Sequence, residues 1–196
     1  VVTMVGSVAF LIGVGGAPLM SIKLGEKDEA GARRIMANCF LMLCVSAAAL
    51  MAGIFPFARR MLLVFGASEA TLPYAMPYFT TYLMGTPFAL MATGLNQLIV
   101  CQGFAKAGMK SILLGAVMNI VLDPVFIFGL RWGMMGAAVA TVIGQLVTAA
   151  LAVWYLLHMK IIRPEKGDYR LKGSICGRTL TLGMTSFLSQ ISLVAA

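Results

Sequence analysis

Charge is what this chain has least of. Of 196 residues, 11% are charged, seven are acidic and one is histidine. A single histidine excludes a helix-borne pair of zinc-binding histidines, and His158, beside Lys160 at the end of an apolar run, reads as a solvated interfacial side chain. No Ser-His-Asp set is present, and the glycine run GVGG at 13–16 precedes no Lys-Ser/Thr, so no phosphate-binding loop exists there. The four cysteines (Cys39, Cys44, Cys101, Cys176) have no CxxC spacing and no matching histidines. The three within apolar runs, Cys39, Cys44 and Cys101, read as small buried hydrophobes, and the four do not form a metal or disulfide framework. No cofactor is expected.

What is present in abundance is apolar. The chain is 60% hydrophobic, with a mean hydropathy of +0.93, too apolar for an ordinary soluble domain. A helix of about 20 residues crosses a ~30 Å hydrocarbon core. Six apolar segments fit that description: about 1–22, 35–58, 78–102, 111–130, 134–159 and 179–196. Val1 opens inside the first and Ala196 closes inside the last, so the chain is expected to be an internal piece of a longer, all-α, polytopic membrane protein.

The net charge of +8 does not point to nucleic acid, because the charges sit in short connectors. With the first connector cytoplasmic, the inner connectors 23–34, 103–110 and 160–178 hold Lys23, Lys27, Arg33, Arg34, Lys106, Lys110, Lys160, Arg163, Lys166, Arg170, Lys172 and Arg178; the outer ones hold only Arg59, Arg60 and Arg131. Positive-inside asymmetry fixes that orientation. It predicts a multi-pass protein of the plasma (inner) membrane. The segment 59–73 predicts an outer connector with a short interfacial helix at Met61–Phe65 and Ser68 as a helix cap. The charged stretch 160–178 predicts a boundary between two bundles.

Against this background Asp123 stands out as a lone acid within SILLGAVMNIVLDPVFIFGL (111–130). An ionisable group at mid-membrane costs roughly 2.5–3.5 kcal/mol on insertion scales and usually marks an ion, proton or substrate path. Asn119, four residues earlier, projects from the same helix face. Pro124 has no amide to give the carbonyl of Ile120. A carboxylate, an amide oxygen and a freed carbonyl suit a hard cation such as Na⁺, or the carboxylate can hold a proton. In 134–159, Gly136, Ala140, Gly144 and Thr148 form a small-residue stripe suited to close helix packing, with Thr141 and Gln145 as a neighbouring polar face. The span 78–102 carries Tyr78, Tyr82, Thr86, Thr93, Asn96, Gln97 and Gln102, a face that lines a cavity or meets other helices. The methionines within spans (Met84, Met91, Met118, Met184) suit either a promiscuous cavity or ordinary packing.

The runs GVGGAPLMSIKLGEKDEAGARRI (13–35), LNQLIVCQGFAKAGMKS (95–111) and VMNIVLDPVFIFGLRWGMMGAAVATVIGQ (117–145) together resemble the multidrug and toxic compound extrusion (MATE) transporters. The resemblance implies a twelve-helix protein of two six-helix lobes, with this chain running from helix two to the start of helix seven. Residues 1–159 would then be most of the N-lobe, 160–178 the cytoplasmic inter-lobe connector and 179–196 the start of the C-lobe. It further implies export of cationic, amphipathic small molecules by alternating access, coupled to Na⁺ or H⁺, with no obligate protein partner. The family's N-lobe cation site corresponds to Asn119, Asp123 and Thr141, with Tyr78, Tyr82, Thr93, Asn96 and Gln145 in a supporting polar network or substrate cavity. The partner carboxylate of the family's first helix would lie upstream of Val1, and the family's basic residue in the LNQxIR-type stretch is Val100 here.

Three other functions compete. A flippase of lipid-linked saccharides would carry basic residues within its cavity for phosphates, and none lies inside these spans. An intramembrane enzyme using Asp123 would want a second carboxylate or a nucleophile in the membrane; neither is present, so the chain is read as a transporter and not as an enzyme. A passive channel would survive loss of the Asp123 charge, which coupled export would not.

Overall fold

In a computed structural model, which describes residues 2–64, 66, 68, 71–158 and 173–195, the chain is an assembly of helices. They are α1 (Val2–Gly25), α2 (Glu29–Ile54), α3 (Ala58–Val64), α4 (Leu72–Cys101), α5 (Ala105–Pro124), α6 (Met134–His158) and α7 (Gly173–Ala195). A 3₁₀ turn at Phe55–Phe57 joins α2 to α3, and a π turn at Val125–Gly129 extends α5.

The helices run past the apolar limits of the sequence. α2 starts at Glu29, not near 35, because Asp28 caps it: its Oδ1 accepts the Gly31 amide at 2.8 Å. Lys23 closes the turn from the other side, 2.6 Å from Glu26 and 3.3 Å from Asp28. The Gly31 amide, and after it Lys23, hold the Asp28 carboxyl below its usual range. α4 stops at a turn where Gly103 takes φ +89°, a conformation glycine adopts without strain. A short helix does occur in this connector, as α3, starting at Ala58. Thr71, not Ser68, occupies the cap position of α4, while Ser68 bonds Thr71 from one turn ahead. Most of the 160–178 connector lies outside the described residues; its last six residues belong to α7.

Among the described residues, five helical segments are long and apolar enough to cross a membrane: Val5–Gly25, Glu29–Val64, Leu72–Cys101, Ala105–Gly129 and Met134–His158. The sixth expected segment, about 179–196, falls on α7, which is helical throughout its described residues.

α4 is the axis of the bundle. It packs against α1, α2, α5 and α6, and Leu83, Leu90, Leu95, Leu98 and Ile99 are wholly buried there. α5 lies at the periphery: 6% of its span is buried against 61% for α4, and its apolar face (Ile112, Leu113, Val117, Ile120, Val121) is exposed. α5 is therefore held chiefly by α6. The small-residue stripe of α6 makes that contact, with Gly136 against Phe126 and Gly144 against Gly115. A Cβ on Gly144 would stand 2.9 Å from the Gly115 carbonyl, so only glycine admits this approach.

Candidate functional site

The α5–α6 contact sets the geometry around Asp123. Because Gly115 and Gly144 bring the backbones together, the next turn of α5 places Asn119 against α6, where its Nδ2 donates to Thr141 Oγ1 at 3.3 Å. Thr141 Oγ1 in turn donates to the Ala137 carbonyl at 2.9 Å, which leaves its lone pairs directed to Asn119 and the space beside it. Asp123 follows Asn119 by one turn, about 6 Å along the axis. Its side chain is half-buried, and its Oδ1 is buried without a hydrogen-bond partner. Three oxygen-bearing side chains thus share one corner, and the carboxylate there lacks a donor.

The backbone reinforces this. α5 passes through Pro124 and widens afterwards: Val125 N bonds Leu122 O, and Leu130 N reaches Val125 O at 2.9 Å, five residues back. Pro124 supplies no amide, so the Ile120 carbonyl loses its helical donor, as the sequence predicts. π turns of this kind concentrate at functional sites. Phe126 stacks on Trp132 at 5.6 Å and closes the outer end.

Gln145, one turn beyond Thr141 on α6, reaches α4. Its side chain faces Tyr82, with Tyr78 nearby, and its Oε1 is buried without a hydrogen-bond partner. Gly85 makes room for it, since a Cβ there would lie 3.2 Å from Gln145 Oε1 and against Val142. Polar groups thus run from Asn119 and Thr141 through Gln145 to Tyr82 on α4, while Asp123 stands one turn from Asn119 in the opposite direction.

Asn96 and Thr93 stand apart from these groups. Asn96 Nδ2 donates to the Gly108 carbonyl at 3.4 Å, at the turn between α4 and α5. Gly108 is 15 residues before Asp123, roughly 22 Å along the helix. Asn96 serves the inner end of the bundle, and Thr93, half-buried, lies one turn from it. Thr86 is the residue whose importance the sequence understates. It is wholly buried, yet its hydroxyl has no partner. The signal available was its place before Pro87, where a helix leaves a carbonyl unsatisfied.

No three His, Cys, Asp or Glu side chains gather into a metal-binding group among the described residues. One carboxylate with neutral oxygens offers a single negative charge, a fit for a monovalent cation or a proton and a poor one for a divalent ion.

Comparison with known proteins identifies the family of the chain. The MatE family profile matches residues 1–125. The chain is 26% identical over 194 residues to the multidrug export protein MepA of Staphylococcus aureus (strain MRSA252), covering 92% of this chain and 40% of that protein. The chain thus spans about 40% of the length of this curated relative. Among solved structures, it is similar to an inward-facing multidrug resistance MATE family transporter of the MOP superfamily, with a TM-score of 0.92 at 25% identity, over 97% of this chain and 44% of the other. It is equally similar to an outward-facing form, with a TM-score of 0.91 at 25% identity over 98% and 43%.

Proposed function

Since the chain belongs to the MatE family of multi-pass membrane transporters, we propose that it is the part of a cation-coupled antiporter that carries the coupling-ion site, and that the whole protein exports cationic or amphipathic small molecules. Asp123 is the coupling residue. Asn119 and Thr141 supply neutral oxygens beside it, and Gln145, Tyr82 and Tyr78 extend the polar surface toward the interior.

One observation carries this reading: the only acid within a membrane span of α4–α6 has a buried, unpartnered carboxylate oxygen one turn from the Asn119–Thr141 bond. An unsatisfied buried carboxylate is unfavourable, and a bound Na⁺ or proton removes the deficit. The ion therefore favours whichever conformation keeps Asp123 enclosed. A cationic substrate favours the alternative conformation, in which the same charge is accessible to it. Exchange follows as negative coupling between two ligands of one conformational equilibrium.

In this reading α1–α6 belong to the first lobe and α7 opens the second. The comparable likeness to an inward-facing and an outward-facing transporter supports a lobe that moves largely as a body. The test is equilibrium binding of a cationic dye to the full-length protein as pH and Na⁺ are varied separately. Affinity should fall with one of the two; affinity indifferent to both would sink the proposal.

A further inference from the structure

α5 is the least buried of the five spans and leans chiefly on α6. Along the inner half of that seam runs an open groove of about 420 Å³. Leu113, Leu114 and Val117 of α5 and Leu151 of α6 line it, and Lys110 and Tyr155 are its innermost residues. Lys106 precedes Lys110 by one turn on the same face of α5. Neither lysine has an ion-pair or hydrogen-bond partner among the described residues. Their placement is unfavourable in two ways. Like charges four residues apart on a helix repel, and lysines near a helix start meet the positive end of its dipole, with no acid in the first turn to offset them. Positive-inside asymmetry is met by a lysine anywhere in the connector; it does not call for two on one stripe beside an apolar groove.

The level of these residues is that of the inner membrane surface. Trp154, 51% exposed, meets Tyr155 edge-on at 5.2 Å and stacks on His158 at 4.8 Å. Exposed aromatic rings of this kind sit at the headgroup level. From Lys110 the apolar lining runs to Val117, about 10 Å toward the membrane centre. The groove is also separate from the corner at Asp123. With Gly115 turned toward α6, Asn119 and Asp123 leave α5 on one flank, at roughly 40° and 80°, and Leu114 and Val117 leave it on the other, at roughly 100° and 160°. α7 packs on α1 and α2 and does not line the groove.

We propose that this groove binds one anionic phospholipid of the inner leaflet. Lys106 and Lys110 hold its phosphate, the Tyr155 hydroxyl donates to the same group, and an acyl chain lies along Leu113, Leu114, Val117 and Leu151. Basic clusters on the cytoplasmic side of membrane helices suit such headgroups, and lysines reach them with their stems laid on apolar surface. The bound phosphate offsets both the repulsion between the lysines and their conflict with the helix dipole. A zwitterionic lipid carries an ammonium that the two lysines repel, so the site prefers a headgroup of net negative charge. The lipid gives α5 a second support beside α6. It thereby steadies the helix that carries Asn119 and Asp123, whatever those residues bind.

The test uses the full-length protein in non-ionic detergent, with phosphatidylglycerol, phosphatidylcholine and inorganic phosphate as probes. Native mass spectrometry reads binding, and the melting temperature reads its effect. Phosphatidylglycerol should saturate one site and raise the melting temperature; the other two probes should do neither. The double variant Lys106→Gln, Lys110→Gln should bind phosphatidylglycerol about thirtyfold more weakly, the loss expected of two lysines at an anionic lipid. Without lipid it should melt as the wild type does. Lys27→Asn removes an inner lysine away from the groove, at a φ of +59° that asparagine tolerates, and should leave binding unchanged. In wild type, phosphatidylglycerol with a photoreactive acyl chain should label peptides within 110–117 or 151–155, a result that depends on no variant. Equal affinity for phosphatidylcholine, or equal losses in Lys27→Asn and the double variant, would mean unspecific contact with lipid. Inorganic phosphate matching phosphatidylglycerol would mean a soluble anion, and labelling confined to other segments would mean that other helices of the whole protein cover the groove. Each of these results overturns the proposal.

Discussion

Asn119 on α5 and Thr141 on α6, 22 residues apart in sequence, are joined by a 3.3 Å hydrogen bond one turn from Asp123. The bond has a direction: the amide donates, so the Asn119 side-chain oxygen is turned away from Thr141 and is available as an acceptor. Thr141→Val should therefore release Asn119 and weaken ion binding by about 2- to 10-fold, the range expected for one hydrogen bond of roughly 0.5–1.5 kcal/mol. Thr141→Ser should keep it. Ion affinity measured by competition with a bound dye in the full-length protein distinguishes the two; equal losses in Val and Ser would mean that packing, not the hydroxyl, matters.

Gly115 faces Gly144 and Thr148 without room for a side chain. Gly115→Val should push α5 from α6 and destabilise the protein by about 1–3 kcal/mol, as overpacking does. Because α5 has little other support, ion binding should be lost together with thermal stability. A Gly115→Val protein with wild-type melting temperature would contradict the packing described for this seam.

Pro124→Ala returns an amide to the Ile120 carbonyl. The variant should be slightly more stable, because a proline in a helix interior is unfavourable, and should bind the coupling ion more weakly. Thermal melting with and without the ion checks both halves, and a more stable protein with unchanged ion response would exclude the carbonyl from the site.

At the α1–α2 turn, the Gly31 amide and Lys23 hold the Asp28 carboxyl below the usual carboxylate range. The sign follows from linkage: a depressed folded pKa gives stability that is present above the unfolded value and is lost as pH falls through the folded one. Asp28→Ala should lower the melting temperature near neutrality, and the two proteins should converge in acid. Asp28→Asn should keep most of the cap, since its side-chain oxygen also accepts from Gly31, and lose the pH dependence.

Much of this was legible in the sequence because the membrane imposes simple rules. Uncharged runs marked six apolar segments, all of them helical in their described residues, and a lone acid beside Asn119 and Pro124 marked the corner on α5. The α6 stripe marked its partner helix. The limits of the helices were less legible: a lysine, an aspartate and a glycine at 23, 28 and 31 close a turn by local bonds that hydropathy does not register. Asn96 and Thr93 share a helix face with Tyr82, but spacing along a helix does not say at which depth a neighbouring helix ends. Thr86 shows the same limit: a threonine in a membrane helix usually bonds its own backbone, and only the fold reveals that this one does not.

The measurement that tests the central claim most directly is dye efflux from proteoliposomes carrying the full-length protein, wild type against Asp123→Asn, under Na⁺ and pH gradients imposed separately. Wild-type efflux should follow one of the two gradients and the variant should follow neither. Gradient-driven efflux by a correctly inserted Asp123→Asn protein at the wild-type rate would show that Asp123 is a structural acid and that coupling resides elsewhere.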